Sequence, residues 1–81
     1  MDSDKRSKIE VLLRILLTAQ TEVQMILASE KYSFEGRSIA SRASATGSAS
    51  SDAVTRLENA YDGLQEVMDD LEAAAGIDWV P

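Results

Sequence analysis

Ile9-Glu10-Val11-Leu12-Leu13-Arg14-Ile15-Leu16-Leu17-Thr18-Ala19-Gln20-Thr21-Glu22-Val23-Gln24-Met25-Ile26-Leu27 decides the fold. Its apolar positions Ile9, Leu12, Leu16, Ala19, Val23 and Ile26 step by 3, 4, 3, 4 and 3, the a/d pattern of a helix packed along a heptad seam. At about 100° per residue, Leu13, Ile15, Leu17 and Leu27 widen the apolar arc to roughly 200°, more than one neighbouring helix covers. The stretch predicts a helix over about 4–31 that contacts at least two others. Ser3 or Asp4 offers an N-cap, and Ser7 with Glu10 offers a capping box one turn later.

A second helix is predicted over about 52–75. Its seam runs through Val54, Leu57, Tyr61, Leu64, Met68, Leu71 and Ala75, again in steps of 3 and 4, and here the apolar stripe is narrow. Ser50 or Ser51 is the expected N-cap, and Gly76 the expected C′ residue, with Ile77 folding back on the last turn. Gly63 interrupts this helix. It is either a tolerated surface glycine, at a cost of about 1 kcal/mol against Ala, or a point of close backbone approach.

Between the helices, residues 33–50 hold six serines, four alanines, Gly36 and Gly47. That composition reads as a connector, with a short helix over 38–45 as an option, and it is longer than an antiparallel hairpin needs. The apolar tail Ile77-Asp78-Trp79-Val80-Pro81 follows the second helix. The expected architecture is a single all-α domain, a long coiled-coil-like two-helix hairpin. Two copies of it would form a dimeric four-helix bundle.

The chain has 81 residues, with 14 acidic against 8 basic side chains, a net charge of −6, no cysteine and no histidine. At this length a lone core is marginal, and self-association is expected. Without thiolate or imidazole, the common nucleophile, the common neutral-pH base and the Cys/His zinc site are missing. No catalytic residue, metal site or cofactor is assigned, and the chain is read as a non-enzyme. The negative charge opposes binding to nucleic acid and to anionic lipid. The longest apolar runs fall short of a bilayer span, and the acidic start Met1-Asp2-Ser3-Asp4 is unlike a signal peptide, so a soluble cytoplasmic protein is expected.

Glu58, Asp62, Glu66, Asp69 and Asp70 share one face of the second helix, away from its seam. They either solvate the surface or meet a partner protein with a basic surface. Leu13-Arg14-Ile15-Leu16-Leu17 fits the Leu-x-x-Leu-Leu docking pattern, but its leucines coincide with the seam and are read as core. The oligomer and core seam is assigned to Ile9, Leu12, Leu13, Leu16, Val23 and Ile26 with Leu57, Tyr61, Leu64, Met68 and Leu71. Tyr32, Phe34 and Trp79 are expected to plug the ends of the bundle. With Arg37 and Arg42 they also form a candidate set for ligand or partner contacts.

Two long helices followed by an apolar, proline-containing tail resemble in layout the small plasmid or phage antiactivators, a likeness carried by no residue motif. It implies a small protein that acts by binding another. The leading expectation, which needs no chemistry, tolerates the missing His and Cys and fits the size, is a non-catalytic protein–protein interaction module, a small acidic regulator or inhibitor. The alternatives are an oligomer that binds an anionic ligand such as a nucleotide through Tyr32, Phe34, Arg37 and Arg42, and a structural assembly component.

Overall fold

The computed structural model describes residues 1–36 and 45–79, with side chains in the second stretch described from Gly47 onward. Two helices, α1 (Ser3–Glu35) and α2 (Ala45–Ala75), pack against each other as a hairpin. The molecule is a rod with extents of 57 × 16 × 14 Å.

The N-cap of α1 is Asp2, one residue before the expected Ser3 or Asp4. Its carboxylate accepts from the Lys5 N–H at 2.8 Å, and its carbonyl accepts from the Arg6 N–H at 3.1 Å. The Asp2 carboxylate thus meets the free N–H groups at the positive end of the helix dipole. α1 runs four residues beyond the expected Lys31 because Gly36 is the first glycine or proline after it, and because Phe34 continues the packed seam. At the other end of the hairpin, Gly76 takes φ +64, and its N–H donates to the Ala73 carbonyl at 3.2 Å. The Ile77 N–H donates to the Glu72 carbonyl at 3.2 Å, completing a Schellman motif as expected.

Among the described residues α2 reaches back to Ala45, well before the expected start near Asp52. Residues 45–50, read by composition as connector, are helical because their small residues fall in phase with the seam. Gly47, Ser50, Val54 and Leu57 follow one another at 3, 4 and 3, and Gly47 and Ser50 are buried. Ser50 is therefore not a cap. Its hydroxyl donates to the Glu30 carboxylate on α1, while the Ser51 carbonyl accepts from the Thr55 hydroxyl. The optional helix over 38–45 falls largely outside the described residues.

The core lies where the first half of α1 meets the second half of α2. Ile9, Leu13, Met68 and Ala75 are buried, and Leu16, Leu17, Leu71, Ile77 and Trp79 pack against them. Among the described residues Leu13, at 0% exposure, is the largest fully buried side chain.

The covered row of α1 is Ile9, Leu13, Leu16, Gln20, Val23, Leu27, Glu30 and Phe34, in steps of 4 and 3 along the whole helix. This corrects the phase of the expected seam. Ile9, Leu16 and Val23 are covered as expected, but Leu12, Ala19 and Ile26 give way to Leu13, Gln20 and Leu27 and stand exposed. Gln20 hid the true phase, because a polar residue is not scored as core. It is 4% exposed, and its Nε2 donates to the Tyr61 carbonyl at 3.3 Å and to Gln65 Oε1 at 3.0 Å. With those bonds made, burying it leaves no donor of that amide unpaired to solvent or core. On α2 the expected seam holds, with Val54, Leu57, Tyr61, Leu64 and Leu71 half-buried and Met68 and Ala75 buried.

Candidate interaction surface

With the hairpin closed, the surface divides by helical phase. Turned about 100° from the covered row of α1 is a second row, Lys8, Leu12, Ile15, Ala19, Glu22 and Ile26, spaced by 4, 3, 4, 3 and 4 and exposed throughout. Ile15 is 59% exposed and Ile26 56%, and Val11 and Met25 extend the patch along its outer edge. Thr18 and Thr21 turn their hydroxyls onto their own helix, donating to the Arg14 and Leu17 carbonyls at 3.0 Å. They therefore offer no outward donor. Scattered apolar residues on a surface are ordinary, whereas Leu12, Ile15, Ala19 and Ile26 recur at heptad spacing along one exposed face.

α2 carries a matching flank. Ala53, Ala60, Val67 and Ala74 recur every seven residues, with Gly63 between them, about 90° from the α2 seam. Space beside Gly63 is open, with nothing within 4 Å of an added Cβ. Of the two expectations for this residue, the hairpin itself supports the surface glycine.

The five carboxylates Glu58, Asp62, Glu66, Asp69 and Asp70 are exposed on the outer side of α2, turned from α1. Asp69 accepts from Gln65 Nε2 at 3.0 Å. Between Asp52 and Glu72 there are seven acids and one base, Arg56. Arg56 Nε donates to Asp52 at 2.9 Å, and that bond and charge hold its guanidinium still more firmly protonated. A second exposed ion pair among the described residues, Lys8 with Asp4 at 3.8 Å, lies one turn into α1.

The aromatic residues do not act together. Trp79 packs on the core at the end of the rod where α2 terminates, as expected of a plug. Phe34 is half-buried at the opposite end, and Tyr32 beside it is 82% exposed and plugs nothing. Arg37 and Arg42, the cations of the candidate ligand set, lie outside the described residues. A hollow at that end is lined by Tyr32, Ser33, Glu35 and Gly36, and a second, beside Gly76, by Asp69, Glu72, Ile77 and Asp78. The leucines of Leu13-Arg14-Ile15-Leu16-Leu17 are buried or half-buried in the hairpin, which leaves Ile15 and Arg14 outward. No group of three or more Asp or Glu among the described residues is placed to hold a metal ion.

α1 is long and apolar enough, by length and composition, to cross a membrane, because Arg14 and Glu22 are the only charges between Val11 and Ala28. Uninterrupted apolar runs do not reveal this, because Arg14 and Glu22 divide them. Comparison with known protein families, with curated proteins and with solved structures finds no match for the chain.

Proposed function

We propose that the hairpin is the protomer of a dimeric four-helix bundle that works in water as a non-catalytic protein–protein interaction module, a small acidic regulator of another protein. The observation that carries this reading is the exposed row Leu12, Ile15, Ala19 and Ile26, which lies beside the covered row of α1 and outside the hairpin interface. A helix with two apolar rows about 100° apart is the corner of a bundle, with one neighbour on each row.

Water is favoured over a bilayer for α1 because it is tied to α2. Gln20 and Glu30 bond across the interface, and α2 carries seven acids between Asp52 and Glu72 that would have to accompany α1 into the membrane. The proposed site of action is the cytoplasm.

In the dimer Glu58, Asp62, Glu66 and Asp69 of the acidic face remain outside and are available to a protein with a basic surface. A field of one sign steers encounter more than it deepens affinity. Binding to such a partner, recovered by pull-down and re-measured with purified components, is expected to weaken from low to high salt through slower association. Reversal of Glu66 and Asp69 to Lys is expected to reproduce the salt effect with helicity unchanged. Equal binding at both salt concentrations and by the reversed variant would remove the acidic face from the reading.

A further inference from the structure

The exposed row of α1 and the small-residue flank of α2 lie on the same broad side of the hairpin. α1 and α2 run antiparallel, so the sense of residue progression around the two helices is opposite when viewed from one end. A flank reached by stepping back about 100° from the α1 seam and one reached by stepping back about 90° from the α2 seam therefore face the same way. Large side chains, Leu12, Ile15 and Ile26, stand on one half of this side, and the other half holds the small residues Ala60, Gly63 and Ala74 with Val67 among them.

We infer that this side docks a second copy of the chain about a twofold axis parallel to the rod, so that α1 of each copy lies over α2 of the other. The inference rests on the dimer proposed above and names its face, pairing and register. The register has no free choice. A twofold axis along the rod keeps every residue at its own level, and the level is fixed by the bonds of Gln20 to Tyr61 and Gln65 and of Ser50 to Glu30. At that level Ile15 meets Val67 of the second copy, Ala19 meets Gly63, and Glu22 meets Ala60. Ala19 against Gly63 is the point of closest approach, where one side chain is a methyl group and the other is hydrogen, and Ile15 against Val67 lies one turn away.

Charge agrees with the same alignment. Lys8 falls one turn from Asp70 of the second copy, and Glu22 one turn from Arg56 of the second copy, both within side-chain reach. The chain exposes 5637 Å², against about 4,800 Å² for a compact chain of its mass, in keeping with a rod-shaped protomer.

The chain has no cysteine, so single-cysteine variants report the pairing directly. Ala19→Cys mixed with Gly63→Cys is expected to oxidise to the mixed disulfide in preference to either homodisulfide. Predominance of the Ala19→Cys homodisulfide would mean α1 on α1 and would overturn the inference. A persistent dimer with no disulfide would place the interface elsewhere and would also overturn it, while leaving the dimer standing. A folded monomer would remove both. As a second readout, Gly63→Gln meets open space in the hairpin and improves helix propensity, so helicity is expected to hold. Self-association is expected to weaken by about tenfold or more, from overpacking at the closest approach. Unchanged association in that variant would contradict the pairing.

Discussion

Gln20 is the residue that sets the hairpin's alignment. It is the one amide in the buried row of α1, and its two bonds to Tyr61 and Gln65 are made at a single relative level of the helices. A lone polar residue in an apolar seam typically specifies register at some cost in stability. Gln20→Leu is therefore expected to raise the thermal midpoint measured by circular dichroism, by about 4–8 °C for each kcal/mol gained. A lower midpoint would show that the amide stabilises the fold as well as aligning it. Asp2→Ala is expected to lower the midpoint through loss of the cap, at about 0.5–2 kcal/mol. Neither role was legible in the sequence. Gln20 reads as a surface residue because its partners are 41 and 45 residues away. Asp2 reads as flanking chain because Ser3 and Asp4 cap equally well on paper.

Between the two helices, legibility followed the width of the apolar arc. α2 has one narrow stripe, so its phase could be read from Val54 to Ala75, and the Schellman end at Gly76 with it. α1 has an arc wide enough for two seams that share Ile9, Leu16 and Val23, and apolar spacing alone could not say whether Leu12 or Leu13 faces α2. The helix ends near the connector were obscured by composition, since Ser50 and Gly47 pack where linker residues would be solvated. The two phases now make different predictions. Leu13→Asp puts a carboxylate at the fully buried point of the core and is expected to abolish the cooperative melt, at several kcal/mol. Leu12→Asp lies on the exposed row and is expected to preserve helicity while abolishing self-association, and Glu66→Lys to preserve both. Loss of helicity in Leu12→Asp with retention in Leu13→Asp, by circular dichroism, would contradict the phase.

The rod exposes apolar surface along one side and acid along another, and the account assigns the first to a second copy and the second to a partner protein. Both assignments follow from what the hairpin leaves uncovered: a row of α1 at heptad spacing, and carboxylates on α2 with Arg56 as the single base among them. Self-association comes first, because without it the core is thin and Leu12, Ile15 and Ile26 remain in water. Sedimentation equilibrium of the full chain at micromolar concentration tests this most directly. The account predicts a helical species of twice the 8.8 kDa chain mass. A folded, cooperatively melting species at 8.8 kDa would contradict it.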